Sequence, residues 1–328
     1  MACFVRYILS TASLPMTPSS TFSPTHPKPG HAETAGIERR HNLSYDEFMR
    51  HYLIPRKPVI VTGALTEWKA LERWTPEFFK ARYGDKQVRI AGATWTLGAY
   101  IDRVLASTPG DPAPYLKDQI ISELGPELAH DIQPFIDYVF PNWLRGRYLS
   151  GSINASLNRP AEIELFIGGA GTRLGELHYD YAHCHVALCL LSGRKQFTIF
   201  APDQTPYLYA QGMLSQVKDI ENPDLERFPL FAQARSLTFV QEPGEIVLLP
   251  TGWWHTTRLL TTCVAVAQNF ANASNWRDVV DDVCASVQER RPLTGALLHL
   301  YLRLLGRFKA LRGRALGRSS LFGPHAPH

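Results

Sequence analysis

Two histidines and one aspartate, His178, Asp180 and His255, follow one another in the order H-x-D…H. Two imidazoles and one carboxylate can bind one face of a metal ion and leave the other face open, as in non-haem Fe(II) oxygenases. On an extended segment His178 and Asp180 point to the same side, because their spacing matches the alternation of a strand. His255 comes directly after two bulky indoles, Trp253 and Trp254, which we expect to keep water from the metal. The sequence therefore predicts a metal site at these three residues.

A lysine follows the H-x-D motif at a turn. Lys195 comes after Gly193 and Arg194 and opens the strand-like run that ends at Phe200. A lysine that points into a barrel can form a charge-assisted pair with a dicarboxylate cosubstrate. Burial would lower its pKa, whereas the bound carboxylate would favour the charged form. We expect Lys195 to bind such a carboxylate, the alternative being a solvated strand lysine, and we expect Arg194 to lie on the surface.

The elements that must position these residues are short strands separated by turns. Gly168-Gly169, Pro202-Asp203 and Pro243-Gly244 separate β-branched and apolar runs at close spacing. Many short strands with such turn signals are typical of an all-β barrel or sandwich, here a mainly β jelly roll, or double-stranded β-helix, of the cupin type. In that fold the H-x-D segment and the strand before His255 can lie close together. The predicted strands are Glu162–Ile167, Leu177–Tyr181, His185–Leu191, Lys195–Phe200, Glu245–Leu249, Thr256–Leu260 and Cys263–Phe270.

Helices are expected to flank this barrel on its N-terminal side. Ser44 and Glu47 form a capping-box pattern, which predicts a helix over residues 45–52. Pro76 directly after Thr75 is typical of a second helix start. Further predicted elements are strands over residues 58–61 and 87–91, and short helices with loops over residues 111–159.

The C-terminal region changes to helical spacing. Apolar residues recur every three or four positions on both sides of Pro292, which predicts two amphipathic helices over residues 275–312. An apolar stripe outside the barrel must be buried on the barrel or on a second copy of the chain, and we expect a homodimer through these helices. The stripe comprises Val279, Val280, Val283, Val287, Leu297, Leu298, Tyr301, Leu302, Leu305 and Phe308.

The C-terminal helices and the tail over residues 313–328 are rich in basic residues. After Asp282 the only acidic residue is Glu289. Two interpretations stay open, contact with RNA or an acidic partner, and a solvated helix face followed by a basic disordered end. The basic residues are Arg290, Arg291, Arg303, Arg307, Lys309, Arg312, Arg314 and Arg318.

Composition restricts the class of protein. The 328 residues are 45% hydrophobic and 11% aromatic, which suits a globular core, and the formal net charge is +4. No apolar run approaches the roughly 20 residues that span a bilayer, so no membrane segment is expected. The scattered cysteines form no C-x-x-C pair, which argues against a disulfide framework or a cysteine zinc site and predicts a cytoplasmic protein. The Pro-, Ser- and Thr-rich segment over residues 1–36 is predicted to be disordered.

Several motifs occur in a characteristic order. They are R-K-P-V-I-V-T-G at 56–63, H-Y-D at 178–180, G-R-K at 193–195, F-A-P-D-Q at 200–204, E-P-G-E-I-V-L-L-P-x-G-W-W-H at 242–255 and Q-N-F at 268–270. In this order the chain resembles the JmjC or cupin-like 2-oxoglutarate oxygenases, above all the group that contains the factor-inhibiting-HIF asparaginyl hydroxylase. The resemblance extends from about Tyr45 to Phe270. It implies one oxygenase domain over residues 37–274.

The resemblance implies a set of roles for individual residues. His178, Asp180 and His255 would bind Fe(II), and Lys195 would hold the distal carboxylate of 2-oxoglutarate. Asn269 matches a position that lies near the cosubstrate in relatives. The enzyme would be a 2-oxoglutarate- and Fe(II)-dependent dioxygenase that hydroxylates a C–H bond of a protein side chain or another substrate, with succinate and CO2 as coproducts.

Two departures from the family pattern concern the cosubstrate pocket. Gly175 stands where several relatives have a threonine that assists the distal carboxylate. The stretch between Asp180 and Gly193 is also about two residues longer than in the most similar relatives. A second hydrogen-bond donor to the cosubstrate must then come from elsewhere, and the candidates are Tyr148, Thr198 and Asn158.

The sequence leaves several functions open. A second class is a cupin-fold metal- or ligand-binding protein without oxygenase activity, which Gly175 and the altered stretch over residues 181–186 motivate. A third is a metal-dependent isomerase or dioxygenase that uses no cosubstrate. The substrate is not readable, because specificity lies in loops around the barrel mouth and not in the fold. His183 and His185 have the spacing of a second metal site, but we interpret them as rim residues or as partners that orient the ligands.

Overall fold

The computed structural model describes residues 36–145 and 159–315. Strands dominate the middle of the chain, helices precede them, and two long helices follow. The predicted disordered segment up to residue 35, the chain beyond residue 315, and the candidates Tyr148 and Asn158 lie outside the described residues. Within the described ranges, no helix has the length and apolar character that crossing a bilayer requires.

The strands belong to four sheets, of which two form the barrel. In the part of the chain that the structure describes, every strand pair is antiparallel except the one formed by the first two strands. The strands are β1 (Arg39–His41), β2 (Val59–Thr62), β3 (Gln87–Ile90), β4 (Ala93–Thr96), β5 (Leu116–Ile120), β6 (Ile163–Gly168), β7 (His185–Ser192), β8 (Lys195–Phe200), β9 (Ala210–Gln211), β10 (Leu214–Ser215), β11 (Ser236–Gln241), β12 (Ile246–Leu249), β13 (Trp254–Leu259) and β14 (Cys263–Phe270).

The barrel consists of a seven-stranded sheet in the order β1-β2-β12-β7-β14-β6-β5 and a three-stranded sheet in the order β11-β8-β13. Chain neighbours β7 and β8 lie in different sheets, as do β13 and β14, so the chain crosses between the two layers. This is the jelly-roll pattern, and the predicted fold class of a mainly β cupin-type barrel is confirmed. The remaining two-stranded sheets are β3-β4 and β9-β10.

Helices cover the N-terminal side and the C-terminal end of the barrel. Ser44 caps the first helix and forms the predicted capping box with Glu47, and Thr75 caps the third. The α-helices are α1 (Tyr45–Phe48), α2 (Ala70–Arg73), α3 (Pro76–Tyr83), α4 (Leu97–Leu105), α5 (Ile121–Leu124), α6 (Trp276–Arg290) and α7 (Pro292–Ala315). A π-helical turn covers Met49–Leu53, and 3-10 turns cover Pro126–Ile132, Asp137–Val139, Arg159–Ala161, Tyr181–His183, Pro202–Tyr207 and Pro229–Gln233.

Alternating side chains fill the space between the two sheets. On β8, Lys195, Phe197 and Ile199 face inward, because successive residues of a strand point to opposite faces. Phe197 stacks on Phe239 of β11 with ring centroids 5.2 Å apart, and Val247 of β12 completes this cluster from the larger sheet. The outer face of the larger sheet packs against the helices in a separate and larger apolar core. The predicted site residue Lys195 therefore lies on the same inner face as this apolar cluster.

One predicted strand is not a strand in the structure, and several strands were not predicted. Leu177–Tyr181 is not a strand, because His178 pairs with His255 and Leu214 only in isolated bridges, and a 3-10 turn over Tyr181–His183 follows at once. The strands that were not predicted are β1, β4, β5, β9, β10 and β11. β5 lies in the Pro-rich region that predicted short helices and loops, and β11 has an alternation of half-buried residues that gives a weak signal.

The two predicted C-terminal helices are present and meet near Pro292. Helix α7 folds back on α6, and the indole of Trp276 donates a hydrogen bond of 2.8 Å to the carbonyl of Leu302. Helix α6 in turn contacts the 3-10 turn that follows Asp180, where the amide of Asn275 donates to the carbonyl of His183. The C-terminal helices therefore support the segment that carries the H-x-D motif.

Candidate active site

The three predicted metal ligands come together at one end of the barrel. His178 and His255 exchange backbone hydrogen bonds of 3.1 and 2.7 Å, which place their imidazoles side by side with ring centroids 4.4 Å apart. One ligand atom from each of His178, Asp180 and His255 lies within 4.8 Å of the other two. A metal ion can therefore bind all three side chains at once.

Backbone carbonyls set the orientation of both imidazoles. The Nδ1 atom of His178 lies 2.9 Å from the carbonyl of Glu176, and that of His255 lies 3.2 Å from the carbonyl of Trp253. A carbonyl only accepts hydrogen bonds, so each Nδ1 carries the proton and each Nε2 has a free lone pair. Burial lowers the pKa of both histidines to about 4, which keeps them neutral near pH 7. Neutral imidazoles with free Nε2 atoms are the form that binds a metal.

Asp180 completes the triad with a carboxylate. Its Oδ2 lies 3.9 Å from the Nε2 of His255. Burial raises the pKa of Asp180 to about 6, whereas His178 and the amide of Asn269 favour its charged form. A divalent cation at this point would add a much stronger preference for the carboxylate. The donor set of two nitrogens and one oxygen therefore fits Fe(II).

Lys195 is buried inside the barrel without a carboxylate partner among the described residues. Its Nζ lies 5.2 to 5.7 Å from the ring centroids of Phe197, Phe166 and Tyr115. Burial lowers its pKa to about 8, so the ammonium stays mostly charged near pH 7. A buried, unpaired cation among aromatic rings is costly unless an anion binds to it. This environment fits the predicted carboxylate-binding role and not that of a solvated strand lysine.

Tyr115 is a site residue that the sequence interpretation missed. Its hydroxyl lies 3.2 Å from the Nζ of Lys195, although the residue precedes β5 on the opposite sheet. The residue is partly buried, and burial raises the pKa of Tyr115 well above its ordinary value, so the phenol stays protonated. It can therefore donate a hydrogen bond beside the ammonium. The only sequence signal was an aromatic residue at the start of a short β-prone run in a region interpreted as loops.

Thr198 does not reach this pocket. It lies on β8 but on the opposite face from Lys195, and its hydroxyl lies 3.4 Å from that of Thr238 on the outer face. The prediction for Thr198 conflicts with this geometry, because an odd spacing along a strand reverses the side-chain direction. Gly175 is exposed, and a Cβ atom added there would contact nothing within 4 Å. Asn269, in contrast, lies beside Asp180, and its place near the cosubstrate stays a prediction.

His183 and His185 do not form a second metal site with each other. His185 is buried, its Nδ1 accepts a hydrogen bond from the amide of Thr251, and its Nε2 lies 2.9 Å from the hydroxyl of Ser274. His183 faces Asp282 of α6 at 3.6 Å. Both Ala182 and His183 have a φ of 52°, a compact left-handed turn that accommodates the longer segment after the H-x-D motif. These histidines support the fold around the ligands.

The two tryptophans before His255 have different surroundings. Trp254 is buried, donates 2.9 Å to the hydroxyl of Thr205 and contacts the ring of Tyr179 edge-on at 4.9 Å. Trp253 is partly exposed and donates to the carbonyl of Arg56. Trp254 therefore lies on the opposite face of β13 from His255, in an outer apolar cluster with Phe200, and does not form the expected wall beside the metal. Trp253 packs against the inner apolar cluster and connects the turn to the N-terminal part. Arg194 lies on the surface as predicted, paired with Glu242.

A family model described as the cupin-like domain matches residues 45–275 of this chain. The chain belongs to this family, which confirms the resemblance to JmjC and cupin-like 2-oxoglutarate oxygenases. Oxygenases of this class use Fe(II) and 2-oxoglutarate, and His178, Asp180 and His255 form a group that could bind the metal. The closer similarity to the group of the factor-inhibiting-HIF hydroxylase stays a prediction.

Three curated relatives illustrate the range of the family. The chain is 28% identical to Arabidopsis thaliana lysine-specific demethylase JMJ21 over 82% of its own length and 29% of that protein. It is 29% identical to Xenopus tropicalis lysine-specific demethylase 8 over 72% of its length and 53% of that protein. It is 26% identical to Homo sapiens tRNA wybutosine-synthesizing protein 5, over 67% of the chain and 72% of the relative. The chain thus spans only about a third to a half of the first two.

Proposed function

We propose that this member of the cupin-like family is an Fe(II)- and 2-oxoglutarate-dependent oxygenase that hydroxylates a C–H bond of its substrate, with succinate and CO2 as coproducts. The observation that carries the proposal is the placement of the triad and of the Lys195–Tyr115 pair inside one barrel. His255 and Lys195 face the same way on paired strands, because His255 lies opposite Ile199. Four positions along a strand amount to about 13 Å, which two side chains and a five-carbon dicarboxylate can bridge.

Each residue has a role in this activity. Lys195 and Tyr115 bind the distal carboxylate of the cosubstrate, and the surrounding rings exclude water from that end. The carbonyls of Glu176 and Trp253 hold the two imidazoles in position, and Asn269 holds the carboxylate of Asp180. When bound, Fe(II) supplies the activation of dioxygen that couples decarboxylation of 2-oxoglutarate to oxygen insertion. Trp253, which packs against the inner apolar cluster, helps to exclude water on that side.

For the substrate we propose a chemical class and not an individual molecule. Relatives are named as lysine- and arginine-specific demethylases and as a tRNA wybutosine-synthesizing protein. Hydroxylation of an N-methyl carbon would release that carbon as formaldehyde, so hydroxylation and demethylation begin with the same step. We propose a protein side chain as the substrate. Four buried free cysteines support a cytoplasmic place of action.

A cupin-fold binding protein without oxygenase activity is the alternative. Gly175 motivated it, because a threonine that assists the cosubstrate is missing there. Tyr115 reduces the support for this alternative, because its hydroxyl beside Lys195 can act as the second hydrogen-bond donor to the cosubstrate. The experiment must therefore separate cosubstrate binding from turnover.

The test uses the full chain loaded with Fe(II) under anaerobic conditions. Addition of 2-oxoglutarate should produce a weak visible charge-transfer band, and admission of oxygen should produce succinate. Both signals should be lost in His178→Ala and be retained in Thr198→Val, whose side chain lies on the outer face of the same barrel. A metal-loaded wild type that shows the band but no succinate with any substrate would favour the binding protein. Absence of the band would contradict the proposed cosubstrate.

A further inference from the structure

One acidic residue of the barrel interior has no role in the proposed reaction. Glu164 lies on β6, where Leu165 and Ile167 pack into the outer core and Phe166 packs inward beside Lys195. Glu164 therefore shares the inward face with Phe166, because both are even-numbered positions of one strand. Its partner on β14 is Ala267, which belongs to the inner cluster. The carboxylate thus faces the interior of the barrel, as His255 and Lys195 do.

The strand register places Glu164 close to the metal end of the cavity. Asn269 lies on the same face of β14, two positions beyond Ala267, and diagonal neighbours in such a pair are about 7–8 Å apart. Asn269 lies beside Asp180, so the carboxylate of Glu164 is separated from the triad by roughly one side chain. Asp180 and Asp118 both act on Glu164 electrostatically. Glu164 therefore lies on the inner face of β6, near the metal ligands.

Glu164 forms no hydrogen bond or ion pair with any residue that the structure describes. Of the neighbouring cations, Arg159 donates instead to the carboxylate of Glu123 and to the carbonyl of Asp118, both at 3.1 Å. Burial first, and then Asp118 and Asp180, raise the pKa of Glu164 to about 7. A buried carboxylate without a partner is costly, and a bound cation would remove that cost.

The formal charges of the proposed complex indicate what this partner is. Fe(II) and the ammonium of Lys195 balance Asp180 and the two carboxylates of 2-oxoglutarate. Among the residues that the structure describes, Glu164 is an inward-facing carboxylate that this balance leaves without a partner. A neutral substrate would leave this charge buried and unpaired, whereas a cationic one would form a charge-assisted hydrogen bond.

We propose that Glu164 determines substrate specificity by pairing with the cationic end of a lysine- or arginine-type side chain. The inference rests on the proposed function, since it assigns the substrate class of the same site. Pairing at Glu164 would hold the cation against the β6 wall and present the carbons of its stem to the open face of the triad. The residue acts on the substrate and leaves binding of the metal and of the cosubstrate unchanged.

The test measures binding and not turnover. Four peptide pools with random flanks and a fixed central Lys, Arg, Gln or Met are titrated into the anaerobic Fe(II)–2-oxoglutarate complex of the full chain, and perturbation of its charge-transfer band is recorded. We expect the Lys or the Arg pool to act at a concentration at least 10-fold lower than the Gln and Met pools. Glu164→Gln should keep the band and lose that preference.

Two further variants make the outcome specific. Glu123→Gln removes a surface carboxylate near the same strand and should keep the preference for the basic pool. Glu164→Lys should reverse the preference towards a pool with central Glu. The inference is overturned if all pools act equally, if no pool acts, or if Glu164→Gln keeps the preference. In each of these cases a charge-transfer band in the wild type would still support the proposed function. Loss of the band in the wild type would overturn both.

Discussion

The ammonium of Lys195 donates a hydrogen bond of 3.2 Å to the hydroxyl of Tyr115, which lies 80 residues earlier in the chain. The two residues belong to opposite sheets, so the barrel itself brings them together. The ammonium retains two further protons and the phenol retains one, and together they can bind one carboxylate from two sides. This pair supplies the second donor that Gly175 does not offer.

Replacement of Tyr115 by phenylalanine should weaken cosubstrate binding and leave the chemistry intact. One lost hydrogen bond to a charged group is worth about 1.5–3 kcal/mol, so we expect KM for 2-oxoglutarate to rise roughly 10- to 100-fold with a much smaller change in kcat. Succinate formation as a function of 2-oxoglutarate concentration measures both. Thr198→Val is the matched control and should leave KM unchanged. An equal rise in both variants would contradict the assignment.

Asn269 should matter for metal affinity, because its amide lies beside the carboxylate of Asp180. Residues that orient metal ligands typically contribute 10- to 100-fold to affinity, and we expect Asn269→Ala to weaken Fe(II) or Mn(II) binding by a factor in that range. Titration followed by calorimetry or by electron paramagnetic resonance of Mn(II) measures it. Asn222→Ala, at an exposed turn, serves as the control. Unchanged affinity in Asn269→Ala would show that Asp180 needs no such support.

Motifs with a local physical cause were predictable from the sequence. The triad was identified from the order and spacing of His178, Asp180 and His255, because ligand chemistry restricts the residue types. The helix starts at Ser44 and Thr75 were predicted from capping side chains that act within a single turn. Most barrel strands were found because alternation and turn residues are also local signals.

The residues that were missed depend on distant parts of the chain. Nothing near Tyr115 indicates that its hydroxyl meets Lys195, since only the sheet order brings β5 next to β6 and its neighbours. Thr198 was assigned to the pocket although one strand position decides between the inner and outer faces. His185 carries a residue type common in metal sites, yet burial and its bonds to Thr251 and Ser274 give it a structural role.

Metal content distinguishes that structural role from a second metal site. We expect one Fe(II) or Mn(II) per chain, because among the described residues the ligand atoms of His178, Asp180 and His255 form the one group that could hold an ion. His178→Ala should reduce the content to nearly zero, whereas His183→Ala should retain one ion. Inductively coupled plasma mass spectrometry, after removal of free metal, measures the number of metal ions per chain. If the wild type bound two ions and His183→Ala lost one of them, the hypothesis of a second metal site would be supported instead.

Lys309 on α7 should give the folded protein a characteristic pH dependence. Its Nζ donates 2.8 Å to the carbonyl of Trp143 and lies 5.4 Å from the ring of Trp276. Burial lowers its pKa to about 8 from an ordinary value of 10.5. Between these values the unfolded chain binds more protons than the folded one, so the free energy of unfolding rises with pH, by up to about 3 kcal/mol over the interval. Below pH 8 both states are protonated and the full cost of burying the charge is present.

Comparison with Lys309→Met isolates this contribution from every other titrating group. The methionine cannot titrate, so the wild type should gain stability relative to the variant as the pH rises from 8 to 10.5, and the difference should be constant below pH 8. Urea unfolding at several pH values measures it, with Lys80→Met, a surface lysine paired with Asp102, as the control. A difference that falls over this interval would mean that the ammonium is stabilised by its contacts with Trp143 and Trp276 more than burial destabilises it. Helix α7 would then be held in place by a cation, and its docking would weaken as the pH rises.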